Sequence, residues 1–207
     1  MSFSLQASSY LPPIQFFIEI ATTNSVCIEA HENYTKQSYR NRCEIYGANG
    51  KLPLCIPIHK NRVGRTKIKD AKINYSDRWQ KVHWKSLESA YRRSPFFEYY
   101  EHEFVAFYNS KKHTFLFDYN LELLNKTLQL IGMNPEISFT EEYIKSPKNI
   151  TADLRNIDPK DRDSEAENYT RYIQVFEDKK GFSPNLSIVD LLFNEGPNSS
   201  TYLKTNG

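Results

Sequence analysis

The sequence predicts a single α/β domain over residues 1–207: a mixed sheet that opens with a βαβ-like unit and carries a cluster of aromatic-rich helices. Three observations predict it. The first thirty residues read strand, loop, helix, strand; an Asn-Gly pair splits two later β-rich runs; and from Ser76 the apolar residues switch to a helical period. A chain of 207 residues buries roughly 70% of the surface its unfolded form exposes, enough for a core without disulfides or metals.

Ser4 to Tyr10 carries strand formers and stops at Pro12-Pro13. Pro13 suits the first turn of a helix, where its missing N–H costs nothing. Ile14, Phe17, Ile18 and Ala21 follow at helical spacing, and Ser25 to Ala30 is the next strand. A ligand of such a unit sits beyond the strand ends. Arg42–Tyr46 and Leu52–Ile58 flank Gly47-Ala48-Asn49-Gly50, where Asn-Gly as the central pair of a tight turn supplies positive φ. Pro53 and Pro57 push the second run toward a sheet edge, since proline donates nothing to a ladder. Lys67 to Ile73 reads as one more short strand.

Asp77 is the expected cap of a helix whose inner face is Trp79, Val82, His83, Ser86, Leu87, Ala90 and Tyr91. Ser94-Pro95 restarts a helix along the stripe Phe96, Phe97, Tyr100, Phe104, Phe107 and Tyr108. A third helix, from Asp118 or Asn120, buries Leu121, Leu124, Leu128 and Ile131 and ends on Gly132. Residues 145–168, with Asp153, Asp158, Asp161, Asp163, Glu165 and Glu167, read as a long acidic loop. Tyr169 to Phe176 is a candidate strand returning to the sheet, Ser187 to Phe193 a short amphipathic helix, and the last ten residues a frayed end.

Composition excludes several classes of function. A mean hydropathy of -0.65 is far from that of an integral membrane protein. The chain holds 7 Gly and no GxGxxG or GxxxxGK[ST], so a glycine-rich phosphate loop is missing. HExxH, His/Cys pairs at zinc spacing and GxSxG are missing too: the sequence implies no metal, names no cofactor and excludes a nucleophile-elbow hydrolase. Cys27, Cys43 and Cys55 form an odd set without CxxC and read as three buried, reduced thiols. No Lys or Arg precedes Lys36, which does not fit a secretory signal, so a cytoplasmic location is expected.

The formal net charge of +2 conceals an asymmetry. Residues 36–93 carry fifteen Lys/Arg against four Asp/Glu, whereas 94–207 carry twelve against eighteen. Such a block either attracts an anionic partner or neutralises the acidic half of its own chain. Two polar clusters stand out within reach of it. In Glu29-Ala30-His31-Glu32-Asn33-Tyr34, directly after a strand, His31 is a candidate general base and Glu29 a candidate to orient it. In Lys36-Gln37-Ser38-Tyr39-Arg40-Asn41-Arg42, two arginines one residue apart share a face of an extended chain and suit bidentate phosphate binding. His83, on an apolar helix face, is a third candidate, although a histidine so placed is more often a satisfied core residue.

The strings Tyr10-Leu11-Pro12-Pro13, Glu29-Ala30-His31-Glu32-Asn33-Tyr34, Lys36-Gln37-Ser38-Tyr39-Arg40-Asn41-Arg42, Trp79-Gln80-Lys81-Val82-His83-Trp84 and Ser94-Pro95-Phe96-Phe97-Glu98-Tyr99-Tyr100 resemble the WbqC-like family, in particular its Bacteroidetes-type members. The resemblance spans most of residues 8–132. It departs from the broader family at Ser8-Ser9, where a Gln-Pro pair otherwise precedes the tyrosine. It implies a transferase of surface-polysaccharide (O-antigen type) synthesis, acting on a nucleotide-sugar or lipid-linked amino sugar, with aminoacyl or acyl transfer favoured.

In that reading Lys36, Arg40 and Arg42 hold a diphosphate, His31 deprotonates the acceptor with Glu29 behind it, and Tyr10, Tyr34 and Tyr39 stack on a base or sugar. Asn41 and His83 complete the substrate-binding set. Two alternatives stay open. The same loop and tyrosines suit an RNA- or tRNA-binding module, and the aromatic helices suit a non-catalytic scaffold.

Overall fold

The computed structural model describes residues 3–59, 64–157, 159 and 169–207. Strand β1 (Phe3–Ala7), helix α1 (Ile14–Thr23) and strand β2 (Ser25–Glu29) form the expected βαβ unit, with β1 and β2 parallel and Leu5 opposite Cys27. After it come the hairpin strands β3 (Arg42–Gly47) and β4 (Gly50–Cys55), then helices α2 (Trp79–Tyr91), α3 (Phe97–Asn109) and α4 (Leu116–Ile131). Strands β5 (Glu136–Phe139) and β6 (Ile150–Asp153) and helices α5 (Glu177–Lys180), α6 (Ile188–Glu195) and α7 (Ser199–Thr205) complete the chain.

The main sheet has four parallel strands in the order β5-β2-β1-β6. Its two inner strands are almost wholly buried, as strands covered on both faces must be. The β3-β4 hairpin is a separate antiparallel sheet, so the parallel and antiparallel parts are two sheets and not one mixed sheet. Its register pairs Gly47 with Gly50 and makes Ala48-Asn49 the turn. Positive φ falls on Gly50 (108°), so the glycine that follows the turn, not the pair at its centre, takes the unusual conformation.

Several expected elements move. Asp77 does not cap α2, whose N-terminus carries no side-chain cap, and Val82 and Ser86 lie outside its buried face. Helix α3 starts at Phe97, two residues after the proline, because the Ser94 hydroxyl turns back to the Tyr91 carbonyl (2.7 Å) and closes α2. Helix α4 starts at Leu116 and stops at Gly132, whose left-handed φ of 78° gives the expected cap. Lys67–Ile73 is no strand: it holds a 3-10 turn at Ile68–Asp70, pinned by isolated bridges from Lys67 to Asn33 and from Ile73 to Ile58.

The returning strand is β6, inside the stretch read as an acidic loop; Asp158, Asp161, Asp163, Glu165 and Glu167 of that stretch lie outside the described residues. Tyr169–Phe176 contains no strand, because Tyr172 and Gln174 turn inward to Asp190 instead of joining a ladder. The last residues are not frayed either. Helix α7 buries Tyr202 and Leu203, and α6 is buried nearly all round, with Phe193 receiving the rings of Tyr91, Phe97 and Phe104 at 5.1–5.5 Å. Gly196, which ends α6, is required: its φ is +53° and a Cβ there would stand 2.5 Å from the Phe96 ring.

Candidate functional site

The crevice beyond the strand ends, where an α/β unit holds its ligand, is filled by the protein itself. Glu29, at the end of β2, is fully buried. Its Oε1 accepts the Thr140 hydroxyl (2.8 Å) and the His31 backbone N–H (2.9 Å); its Oε2 accepts the Ile144 N–H and an Arg155 guanidinium N–H, both at 3.2 Å. Arg155 also forks onto Asp153 at the end of β6 and holds that carboxyl below its ordinary range. Glu29 therefore does not orient the His31 imidazole: it takes the main-chain N–H of that residue, and the ring makes no hydrogen bond among the described residues.

The N-terminus of α1 is equally occupied. The Ile14 N–H donates to the Leu186 carbonyl and the Gln15 N–H to Asn185 Oδ1, both at 3.0 Å. These donors are the ones a dinucleotide fold turns toward phosphate. Here the segment entering α6 takes them, with the Ser187 hydroxyl on the Leu11 carbonyl (2.8 Å) holding it in place.

The arginines do not project together. Arg40 is buried and forks onto Glu32, through Nε to Oε1 at 2.7 Å and Nη2 to Oε2, with Nη2 also on the Arg155 carbonyl (3.0 Å). Burial raises the Glu32 carboxyl and the guanidinium pulls it back. Arg42 pairs with Glu44 (2.8 Å). Nor do they share one extended strand: Arg40 lies in a turn closed by the Arg42 N–H on the Ser38 carbonyl (3.1 Å). Each finds a carboxylate of its own, so neither is a free phosphate clamp.

Tyr10, Tyr39 and His83 are core residues. The Tyr10 hydroxyl lies 2.9 Å from His83 Nδ1 and 2.8 Å from the Tyr108 hydroxyl, and Tyr39 sets its ring edge against Phe16. Burial lowers the His83 pKa to about 4. Its ring is expected to stay neutral from pH 8 to pH 5, so its imidazole carbon NMR shifts should not titrate in that range; a midpoint near 6.5 would mean the ring reaches water.

A cleft of about 640 Å³ opens to solvent between the Lys36 loop and the end of β4. Its walls include Tyr34, Lys36, Asn41, Cys55, His59 and Arg65. Of the expected binding residues it gathers Tyr34, Lys36 and Asn41, and it adds His59 and Arg65. Among the described residues no carboxylate lines it. Burial pushes the Tyr34 hydroxyl up to about 12 and raises the Cys55 thiol, so both present neutral groups beside the cations. Asn41 donates to the Ile56 carbonyl (2.8 Å) while its buried Oδ1 has no partner among the described residues. Cys55 is exposed, unlike buried Cys27 and Cys43, because it follows buried Leu54 on β4 and so points to the opposite face. Gln37, also in the cleft wall, holds a left-handed φ of 56°. His59 and Arg65 carry no motif, and only the fold brings them to the Lys36 loop. Among the described residues no His/Cys/Asp/Glu group is arranged to hold a metal.

The sequence profile of the WbqC-like protein family matches residues 7–161, about three quarters of the chain. The chain belongs to the WbqC-like family. A relative in Mycobacterium tuberculosis (strain ATCC 25618 / H37Rv), described as the uncharacterized protein Rv1507c, is 26% identical over 220 residues, covering 95% of each chain. No solved structure matches. The WbqC-like stretch holds β2 to β6 and the whole cleft, whereas the Asn185–Ser187 segment that occupies the α1 N-terminus lies outside it. Among the described residues no helix is long and apolar enough to cross a membrane.

Proposed function

We propose that the protein is a transferase of bacterial surface-polysaccharide synthesis, binding a nucleotide-sugar or lipid-linked amino sugar in the cleft and passing an aminoacyl or acyl group to it. The observation that carries this reading is a cationic cleft that no carboxylate lines among the described residues: Lys36 and Arg65 face a space of ligand size. They suit the two charges of a diphosphate. Tyr34, neutral because its pKa is about 12, donates a hydrogen bond without repelling phosphate. His59 takes the place of His31 as the candidate base, since it is the imidazole in the cleft wall. It would accept the proton of the acceptor amine as that nitrogen attacks the activated carbonyl and the donor's leaving group departs.

Thermal-shift measurements with UDP-, dTDP- and CDP-sugars, acyl-CoA and bulk tRNA test this. One nucleotide-sugar is expected to raise the melting temperature, as any ligand selective for the native state does. A Lys36→Ala/Arg65→Ala variant should lose that rise while melting normally alone. His59→Ala should keep the binding and lose turnover. A response to tRNA alone, falling steeply with salt, would overturn the reading in favour of an RNA-binding module.

A further inference from the structure

A second groove, of about 580 Å³, runs between the tip of the β3-β4 hairpin and α2, on residues separate from those of the cleft. Its walls are apolar where a helix surface is ordinarily polar. Val82 on α2 is 60% exposed and Leu52 on the hairpin 38%, and Ala90 closes the floor. Arg78, Lys81 and Lys85 follow one another at helical spacing along the same side of α2. Among the described residues no Asp or Glu lines the groove. Lys85 is engaged by Glu88 at 2.7 Å, whereas Arg78 and Lys81 make no ion pair among the described residues.

An exposed valine and leucine flanked by two unpaired cations match a ligand that is apolar along its length and anionic at its head. The size of the groove selects among such ligands. From Arg78 to Ser89 it follows α2 for about 16 Å, and a peptide helix of that length, about 10 Å across, would fill roughly twice the volume. One hydrocarbon chain fits. We propose that this groove binds a single alkyl or polyprenyl chain carrying a phosphate, the chain between Leu52 and Val82 and the headgroup on Arg78 and Lys81.

The test is calorimetric titration with octyl, decyl and dodecyl phosphate, each kept monomeric, beside inorganic phosphate. One chain is expected to bind per protein, with affinity rising about two- to fourfold per methylene as apolar surface leaves water. Val82→Asp and the pair Arg78→Glu/Lys81→Glu should each weaken decyl phosphate by about tenfold or more. These positions are exposed, and a circular-dichroism melt would check that the variants fold. The cleft variant Lys36→Ala/Arg65→Ala should bind decyl phosphate as the native protein does, so the groove and the proposed function fail or stand separately. Equal binding of inorganic phosphate, indifference to Val82→Asp, loss of decyl phosphate in the cleft variant, or binding to phosphatidylglycerol vesicles without binding to monomers would each overturn the assignment.

Discussion

Arg40→Ala is expected to lower the stability of the fold by about 3–5 kcal/mol, the cost of leaving a buried charge without its partner. Glu32 and Arg40 are both buried, and the guanidinium meets the carboxylate through two N–H groups and the Arg155 carbonyl through a third contact. The pair also anchors its loop, since the Arg40 carbonyl accepts the Asn120 side-chain amide at 2.8 Å. Burial already raises the Glu32 pKa with the arginine in place. Without the arginine it must rise further, so the variant should recover part of its loss as pH falls and Glu32 takes a proton. Urea denaturation at pH 8 and pH 5 reads both effects, with the larger loss at pH 8. The double variant Glu32→Leu/Arg40→Met should regain most of the stability, because it removes the buried charges together. A variant that melts like the native protein yet loses its nucleotide-sugar response would return Arg40 to the phosphate site.

The same pair shows where sequence reading ran out. Periodicity located the βαβ unit and three helices, and the Asn-Gly turn signal located the hairpin, because each is written in neighbouring residues. Alternation also put Arg40 and Arg42 on one face, but nothing in the local pattern says that the chain turns back to set Glu32 against Arg40, or that Arg42 pairs its guanidinium with Glu44 two residues on. Strands β5 and β6 were illegible for a related reason. Each is four residues long and borders the sheet, so β5 exposes most of its side chains and neither carries an apolar run to read. The cleft mixes the two cases: Tyr34, Lys36 and Asn41 stood out in the two polar clusters, whereas nothing in their sequence context marks His59 and Arg65 as its lining. A chemically suggestive loop is visible in sequence; which of its charges the fold keeps for itself is decided by how the chain turns, which brings Glu32 onto Arg40 and Glu44 onto Arg42.

Asp190→Asn is expected to cost roughly 1–3 kcal/mol in acid and to cost less as pH rises, a pH dependence opposite to that of a surface-paired carboxylate. Asp190 is completely buried in α6, where Oδ1 accepts the Tyr91 hydroxyl (2.8 Å) and Oδ2 accepts the Tyr172 hydroxyl (2.5 Å) and the Gln174 amide (2.9 Å). It thus ties α2 and the segment after residue 169 to α6. Burial raises its pKa from 3.8 to about 6 despite these three donors, which pull the other way. A carboxyl whose native pKa lies above its unfolded value contributes stability that is fully present below pH 3.8 and is lost as pH climbs through about 6. The difference between those two values corresponds to roughly 3 kcal/mol. Asparagine does not titrate, so the stability difference between native protein and variant should shrink by about that amount from pH 4 to pH 7.5. Chemical denaturation of both proteins across that range isolates the residue, because Asp153 and the other carboxylates held low by their partners titrate identically in each. A difference that stays flat would mean Asp190 keeps an ordinary acidity, and a difference that grows with pH would mean that the two tyrosines and the glutamine stabilise the carboxylate more than burial disfavours it.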